Sequence, residues 1–305
     1  MARYILRRFI ASALTLLLVA VMIFAALKIV PGGPFDGDVA LSPDLRAALD
    51  ARFGLDQPWP VQLGRYLSGL LRGDLGMSLR SGGQRPITEI LMEGLPLSAL
   101  LGVVALLLAL GGGILLGALA AARKGTALDG AIRSFLALCM ATPAYVLAAA
   151  MVLLFALHWA LLPPALWEGP RSLILPALTL AARPLALVGR LMRTSLIGAM
   201  AADHVRAARA RGVPEGALLF RHALKGALVP LTGLLGPLAA SLLTGSFVVE
   251  AVVALPGLGR HIVSSGLERD HTVSLGITLL YGVTLVCFNL LSDILAMLLD
   301  PRVRP

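Results

Sequence analysis

The sequence predicts an all-α membrane protein with about six transmembrane helices, and three observations lead to this fold class. Of the 305 residues, 58% are hydrophobic and 14% are charged, and the mean hydropathy is +0.87, far from a soluble globular profile. Uncharged runs long enough to cross a bilayer, which takes about 20 apolar residues, recur along the chain. No long alternating pattern indicates a β-barrel, so helices are expected to satisfy the backbone in hydrocarbon.

The apolar runs predict where each helix lies. In chain order they are Phe9–Leu27, Leu95–Ala122, Ser134–Leu157, Ser172–Leu196, Gly226–Val249 and Thr272–Ser292. Three arginines interrupt the fourth run: Arg183, Arg190 and Arg193. A signal peptide is the alternative for the first run. However, its apolar stretch continues to Val30, longer than an h-region of about 7–15 residues, and PGGPFD is a poor cleavage pattern. We therefore expect an uncleaved first helix.

The placement of lysine and arginine predicts the orientation of these helices. If both termini are cytoplasmic, the basic residues around the short loops fall on one side, as the positive-inside tendency requires. These residues are Arg3, Arg7, Arg8, Arg123, Lys124, Arg133, Arg193, Arg206, Arg209, Arg211, Arg221, Lys225, Arg302 and Arg304. The net charge of +9 is therefore a topology signal. Nucleic-acid binding is a poor explanation because the charges are split among short loops.

The segment between the first and second helices, residues 31–94, is external in this topology. Ser42 is a plausible cap and Gly54 a plausible stop of a short helix, after which Pro58 and Pro60 force an extended step. An apolar stripe with interfacial aromatic residues follows: Leu63, Leu67, Leu70 and Leu71, with Trp59 and Tyr66. We expect the segment to lie along the outer membrane face, either as a spacer or in a binding or gating role.

The loop between the fourth and fifth helices, residues 203–230, predicts a short helix. Asp203 is expected to be its N-cap and Gly212 the left-handed residue beyond its end. Pro214 fits the first turn of the next helix. Alanines between the caps permit close approach to a groove, and arginines can pair with acidic rims: Arg206, Ala207, Ala208, Arg209, Ala210 and Arg211. We interpret the loop as a docking element for a cytoplasmic partner; a solvated basic loop is the alternative.

This loop resembles the EAA coupling loop of ABC-importer permeases, in the branch that includes dipeptide, oligopeptide, glutathione and nickel transport. Arg206-Ala207-Ala208 stands at the EAA triplet, and Gly212 follows after three residues. Arg206 replaces the Glu of the generic triplet, and Lys225 stands where the generic pattern has Pro.

The resemblance covers almost the whole chain in order. Its segments are YILRRF, the Pro31-Gly32 step, GLDQPWPVQ, LLRGDLGMSLR, LILPALTLAA, SFVVEAVVALPGLGR and NLLSDILAMLLDPRVR. Two residues depart from the family pattern: Gly33 stands where an acidic residue is expected, and Arg183 is not expected at all. We expect both departures to bear on substrate choice.

The resemblance implies a type I ABC importer in a bacterial inner membrane. This chain would be one of two related membrane subunits, working with two cytoplasmic ATP-binding subunits and an extracytoplasmic solute-binding protein. The chain has no G-x-x-x-x-G-K-[ST] phosphate loop, so ATP and Mg would be bound by the partners. We therefore expect no cofactor and no catalytic residue in this chain. Peptides are the expected cargo, with nickel complexes or glutathione as alternatives.

The resemblance also implies a domain organisation and a set of coupling residues. Residues 1–30 would form an N-terminal transmembrane helix, 31–94 an external segment, 95–300 a type-1 domain of five helices, and 301–305 a cytoplasmic tail. The cytoplasmic coupling helix would lie between helices 4 and 5. The residues expected to couple to the ATPases are Asp203, Arg206, Ala207, Ala208, Arg209 and Gly212.

Charged residues inside spans are the candidates for the transport pathway, because burying charge in a membrane is expensive and often functional. Arg183 lies near the middle of the fourth span, where it could hold a substrate carboxylate or pair with an acidic group of the partner subunit. Glu250, near the outer end of the fifth span, is expected to have a structural or gating role. Asp293 lies one helical turn after Asn289, which favours polar packing between helices.

Glycine, histidine and cysteine indicate little chemistry. Gly113 and Gly117 form a G-x-x-x-G pattern that permits close helix packing. Cys139 and Cys287 lie in predicted spans and are expected to pack as small apolar residues. The histidines are scattered, so we expect no metal site: His158, His204, His222, His261 and His271.

Two other classes of membrane protein remain as alternatives. A secondary transporter driven by an ion gradient would favour acidic relays in several spans and inverted halves, and neither pattern is visible. A membrane-embedded enzyme would need a cluster of catalytic side chains at one depth, and the charged residues are too few and scattered.

Overall fold

The computed structural model describes residues 2–29, 35, 42–164, 166–243 and 247–299. The regular elements of these residues are helices, which confirms the all-α fold class. The predictions made for Gly33, Arg302, Arg304 and the tail 301–305 lie outside the described residues.

Thirteen α-helices are numbered here in chain order among the described residues. They are α1 (Ala2–Ile29), α2 (Pro43–Phe53), α3 (Trp59–Leu71), α4 (Ile87–Ala122), α5 (Ala127–Ala141), α6 (Ala144–Met151), α7 (Ile174–Met200), α8 (Asp203–Ala210), α9 (Glu215–Ala217), α10 (Leu224–Leu243), α11 (Phe247–Val252), α12 (Leu258–Leu267) and α13 (His271–Leu299). Short π-helical stretches follow α6 and α9, at Val152–His158 and Leu218–Ala223, and a 3₁₀ turn, Pro170–Leu173, precedes α7.

Among the residues that the structure describes, five helical stretches are long and apolar enough to cross a membrane. They are Arg7–Leu27, Ile87–Ala122, Pro170–Met200, Glu215–Val252 and His271–Ile294. A sixth is formed if α5 and the helix after it count as one span. The prediction of about six apolar helices is therefore confirmed.

The third predicted span, Ser134–Leu157, is not one straight helix. The chain bends by 106° between α5 and α6, at Thr142 and Pro143. Thr142 is extended, with φ −80° and ψ 123°, because the ring of a proline disfavours helical geometry in the residue before it. Pro143 then precedes the first turn of α6. The span is thus a bent pair, and its first half begins at Ala127.

The second span begins earlier than the apolar run predicts. α4 starts at Ile87 instead of Leu95 and has 36 residues. At about 1.5 Å per residue it is about 54 Å long, whereas the hydrocarbon core is about 30 Å thick. Glu89 and Glu93 lie in the early turns of α4 and are exposed. Because these turns carry charged residues, the apolar run by itself does not predict that they belong to the helix.

The described chain separates into two compact units. Its residues in the ranges 2–98 and 256–284 form the first, and its residues in the ranges 99–255 and 285–299 form the second. In the first unit, buried aliphatic side chains of α4, α12 and α13 form one cluster: Ile87, Ile90, Leu91, Leu258, Val273 and Ile277. Ser98 contributes to this packing because its Oγ accepts a hydrogen bond of 2.9 Å from the Leu258 N–H.

Asp270 ties the external segment to the start of α13 within the first unit. Its carboxylate is 3% exposed and accepts hydrogen bonds from five groups. Three come from the segment before α4: Ser78 Oγ at 2.5 Å, Leu79 N at 3.3 Å and Arg80 N at 3.2 Å. Two come from the first turn of α13: Thr272 Oγ1 at 2.9 Å and Val273 N at 3.3 Å.

The predicted start and end of the first short helix in the external segment are confirmed. Ser42 caps α2 through a 3.3 Å hydrogen bond from the Leu45 N–H, and Gly54 ends α2 with φ +67°. The extended step is shorter than predicted, since only Pro58 is extended and Pro60 already belongs to α3.

The leucine stripe of α3 is narrower than predicted. Leu63, Leu67 and Leu70 are half-buried, but Leu71 is 90% exposed. The Tyr66 ring lies on the same side and stacks on Phe24 of α1, with 6.4 Å between ring centroids.

The core of the second unit is built around α7. One cluster of buried side chains joins α7 to α8, the π-helical stretch and α10: Val188, Met192, Leu196, Val205, Ala208, Leu218, Ala223, Ala227, Leu231 and Leu238. The short helix between the fourth and fifth spans is thus part of the core of this unit.

The G-x-x-x-G pattern of α4 marks a close helix crossing, as predicted. A Cβ on Gly113 would lie 2.8 Å from the Leu185 carbonyl oxygen and from Val188, both in α7. A Cβ on Gly117 would collide with the Gly189 carbonyl oxygen. Because the obstructing atoms include backbone, α4 and α7 approach this closely only while both positions lack a side chain.

Candidate functional site

The short helix α8 is the first candidate site, and its start differs from the prediction. Asp203 is the first helical residue, and Ala202 before it is the extended N-cap residue, which makes no side-chain cap. Asp203 is therefore not the N-cap, although its carboxylate still lies near the positive end of the helix dipole. Its side chain is 99% exposed.

The end of α8 agrees with the prediction. Gly212 has φ +81°, a left-handed conformation that side chains disfavour. Its N–H donates to the Arg209 carbonyl at 2.9 Å, and the Val213 N–H donates to the Ala208 carbonyl at 3.3 Å. This pair of bonds is a Schellman motif, which satisfies carbonyls at the helix end and turns the chain sharply.

The two faces of α8 separate the residues that the sequence groups together. Val205 and Ala208 are fully buried in the cluster with α7 and α10. Arg206 and Ala207 are exposed, as is Ala210 one turn further on. Of the predicted coupling residues, Ala208 is thus the one whose side chain packs inside its own chain.

The arginines of α8 are partly engaged within this chain. Arg209 binds the carboxylate of Glu215 with two hydrogen bonds, of 2.7 and 3.1 Å. These bonds and the carboxylate charge raise the pKa of Arg209 above its usual value. Arg206 lies 3.7 Å from Asp203 in an exposed pair, which stabilises a helix only weakly. Arg206 is therefore the more available cation for a partner.

A large open cavity, here called the basic cavity, lies beside α8. It has a volume of about 1190 Å³ and is bounded by the C-terminal halves of α4 and α7, by α8, and by the start of the next helix. Four cations and one carboxylate line it: Arg123, Lys124, Arg206, Arg209 and Glu215. The loop after α4 and the helix α8 therefore lie at the same end of the helices, as the predicted topology requires.

A second cavity, here called the arginine cavity, contains Arg183. It has a volume of about 640 Å³ and lies among α5, α6, α7 and α10, next to the bend at Pro143. Arg183 is exposed to it, and Thr142, Thr179 and Ser241 add hydroxyl groups to the lining. Within the described residues, no ion pair involves Arg183.

The other two pathway candidates do not line this cavity. Glu250 lies in α11 and is 1% exposed. Asp293 is half-buried in α13, close to the place where α13 packs on α10. There a Cβ on Gly236 would lie 2.7 Å from the Phe288 carbonyl oxygen, and Ser292 Oγ donates to the Thr232 carbonyl at 2.9 Å. This close contact agrees with helix packing near Asp293.

One ion pair, which the sequence pattern did not predict, connects α5 to α7. Arg193 donates two hydrogen bonds of 2.8 Å to the carboxylate of Asp129. The side chains are 19% and 3% exposed, respectively, and the Gly125 N–H adds a third bond at 3.0 Å. Arg193 is thus a structural cation as well as a topology signal. The available clue was a carboxylate in the first turn of an apolar helix, but the residues are far apart in sequence.

We expect Asp129→Ala to lower the thermal midpoint of the purified protein by several degrees, because Arg193 would keep its charge in a poorly solvated position without its partner. Differential scanning fluorimetry in detergent measures this. Glu215→Gln is the matched control, since it breaks an equally bidentate pair in which Arg209 and Glu215 are 44% and 67% exposed. The control should change the midpoint little. Equal shifts for both variants would contradict the role of the Asp129 pair.

No metal site is apparent within the described ranges. No three side chains of His, Cys, Asp or Glu lie close enough there to hold an ion.

Two family models match the chain. Residues 113–305 match the binding-protein-dependent transport system inner membrane component, and residues 1–97 match the N-terminal region of such membrane components. Together they cover the external segment and the helices that carry both cavities.

Curated relatives match over the full length. The chain is 36% identical over 304 residues to the dipeptide transport system permease protein DppB of Bacillus subtilis (strain 168), covering 100% of this chain and 98% of the relative. It is 34% identical over 306 residues to the oligopeptide transport system permease protein OppB of Salmonella typhimurium (strain LT2), covering 100% of both.

A solved structure shares the fold. It is a crystal structure described as an amino acid ABC transporter with histidines, with a TM-score of 0.55 and 19% sequence identity. The match covers 68% of this chain and 94% of that chain. At this identity the likeness concerns the fold alone.

Proposed function

We propose, from the premise that this chain belongs to the family of binding-protein-dependent transport system inner membrane components, that it forms half of a peptide translocation pathway. The chain is a multi-pass permease component of the inner membrane. Peptides are the proposed cargo because full-length relatives are named for dipeptide and oligopeptide transport. Nickel complexes or glutathione are the alternative cargo within the same family.

The proposal extends to the partners that the chain itself lacks. A second, related permease subunit would complete the pathway, and an external binding protein would deliver the solute. Two cytoplasmic subunits would bind and hydrolyse ATP with Mg, since no phosphate-loop motif occurs in this sequence. This chain would contribute no catalytic residue and no cofactor. Both termini would lie in the cytoplasm, with the basic end of the helices.

One observation carries the mechanism: α8 presents one face to solvent and buries the other in the core of its own unit. Arg206 and Ala207 would contact an ATPase subunit. Val205 and Ala208 pack against α7 and α10 through the same buried cluster. A push on the exposed face would therefore move α7 and α10 with α8, because close-packed side chains transmit displacement. Gly212 would fix the C-terminal end of this helix, and Asp203, exposed in its first turn, would be a further contact for the ATPase.

The most direct test of the function is coupled uptake by the reconstituted complex. Proteoliposomes containing both permease subunits and the ATPases should accumulate labelled peptide only with ATP and the loaded binding protein. Mass spectrometry of the ligand that co-purifies with the binding protein would identify the cargo. Accumulation by this chain alone, driven by an ion gradient, would contradict the proposal and favour a secondary transporter.

Arg183 is proposed as the pathway residue that holds the substrate carboxylate. It is a cation without an ion pair in the described part of the chain, and it faces a cavity bounded by α7 and α10, the helices that α8 would move. Glu250 and Asp293 lie outside this cavity, so their proposed roles are gating and helix packing, respectively.

We expect Arg183→Leu to lower uptake of peptides with a free C-terminal carboxylate by about tenfold or more, because a hydrogen bond to a charged group contributes about 1.5–3 kcal/mol. Uptake of the same peptides with an amidated C-terminus should change little. Competition assays in proteoliposomes measure both.

Arg190→Leu is the matched control for this test. It removes an exposed arginine of the same helix that does not line the arginine cavity. An equal loss for free and amidated peptides in Arg183→Leu would show instead that Arg183 pairs with an acidic group of the second permease subunit.

A further inference from the structure

We propose that the basic cavity binds one anionic phospholipid, with the phosphate at the basic rim and an acyl chain along α4. This inference goes beyond the proposed transport function. It requires only that the ends of α4 and α7 lie at a membrane surface, which their length and apolar composition support.

The charges at the rim favour an anion. Arg123 and Lys124 directly follow the last residue of α4, and both are exposed. Neither forms an ion pair with another described residue. Arg206 and Arg209 lie opposite, and the single carboxylate, Glu215, is paired with Arg209. The lining therefore carries four positive charges against one negative charge, and Arg123, Lys124 and Arg206 are the cations available to an anion. Guanidinium groups bind phosphate oxygens in a bidentate manner, so this rim suits a phosphodiester.

The apolar wall of the cavity favours a lipid over a soluble anion. On α4 the lining follows one helical stripe, Gly111, Ile114, Leu115, Ala118, Leu119 and Ala122. This stripe runs for about 16 Å, which is about half of a hydrocarbon core of about 30 Å. Leu115 is 68% exposed, and Phe220 on the opposite wall is 70% exposed. A nucleotide or free phosphate would leave this apolar surface uncovered, whereas a single acyl chain matches its length.

The rim cations and the length of the apolar stripe therefore both favour an anionic phospholipid as the occupant of the basic cavity. The cations lie at the end of the helices, where a headgroup lies, and the apolar stripe continues from them into the depth of one leaflet. Basic pockets between transmembrane helices at a membrane surface are a recognised form of anionic lipid site. A lipid here would contact α4 and α8 together.

The test uses the assembled complex, delipidated in detergent and titrated with phosphatidylglycerol, with bound lipid counted by native mass spectrometry. We expect the double variant Arg123→Gln, Lys124→Gln to weaken phosphatidylglycerol binding about thirtyfold, which corresponds to about 1 kcal/mol for each cation near the membrane surface. Phosphatidylcholine with the same acyl chains should bind the wild type much more weakly than phosphatidylglycerol.

The double variant Arg133→Gln, Arg221→Gln is the matched control. It removes two exposed cations assigned to the same side of the membrane that do not line the basic cavity, so binding should stay within about twofold of wild type. Equal loss in both variants would overturn the proposal in favour of diffuse surface attraction. Displacement of the lipid by inorganic phosphate alone would overturn it in favour of a free-anion site.

A second pair of variants tests the acyl-chain part without changing charge. Gly111→Trp would place an indole ring in the cavity, whereas Gly226→Trp introduces the same side chain at an exposed position that does not line it. A Cβ at either position has open space around it. We expect Gly111→Trp to lower the amount of bound phosphatidylglycerol and Gly226→Trp to leave it unchanged. Loss of the second permease subunit from the complex, with lipid binding unchanged, would overturn the proposal, because the cavity would then hold a protein segment.

Discussion

Replacing Ala207 with tryptophan is expected to lower coupled uptake by at least about tenfold while the permease still inserts and folds. Ala207 is exposed on α8 and takes no part in the buried cluster. A large side chain there would leave the core intact but hold the ATPase away from the helix, and overpacking a fitted contact costs about 1–3 kcal/mol. Uptake and binding-protein-stimulated ATPase activity in proteoliposomes measure the effect, alongside the amount of permease in the membrane.

Two further variants distinguish a loss of ATPase docking from a loss of folded permease. Ala208→Trp places the same bulk in the fully buried neighbour, so we expect loss of folded permease instead of uncoupling. Ala127→Trp places it at the exposed first residue of α5 and should leave uptake unchanged. Normal coupled uptake by Ala207→Trp would contradict the assignment of α8 as the contact with the ATPase.

Replacing Asp270 with alanine is expected to detach the external segment from the start of α13. The change would remove the acceptor for five donors, including buried N–H groups that cannot all find water, and would remove the cap of α13. We expect the free energy that holds this segment to fall by about 2–3 kcal/mol. Limited proteolysis with trypsin measures this, because Arg80 lies in the anchored segment and its cleavage should become at least about tenfold faster.

Glu268→Gln provides the comparison for Asp270. It removes a carboxylate two residues away that is 49% exposed and lies 4.0 Å from the Arg80 guanidinium. Exposed pairs of this kind contribute little, so cleavage after Arg80 should stay close to the wild-type rate. If Asp270→Ala also leaves the rate unchanged, the segment is held by its apolar contacts and not by this carboxylate.

Local features with a strong backbone requirement could be read from the sequence. Ser42 and Gly54 bound α2 as predicted, and Gly212 adopts the left-handed conformation expected of it. In each case the preference belongs to one residue and its nearest neighbours, so distant contacts do not override it. The bend at Pro143 also has a local cause. The hydropathy pattern did not predict the bend, because the run is apolar on both sides of the proline.

Features that depend on distant parts of the chain could not be read in this way. Nothing in the sequence predicts that Asp129 pairs with Arg193, since 64 residues separate them and several other cations are available. Asp270 likewise meets Ser78 across 192 residues of sequence. Only the packing of α5 on α7, and of the external segment on α13, makes these carboxylates structural.

The sequence by itself determined the number of apolar spans, the short helix between the fourth and fifth spans, and the family, because hydropathy and local motifs are properties of contiguous residues. The tertiary structure alone decided which side chains of that short helix face outward. It buried Ala208, left Ala207 exposed and bound Arg209 to Glu215. It also placed Arg183 against an open cavity. Burial is a property of what packs on a residue, and here the packing elements come from distant stretches of the chain.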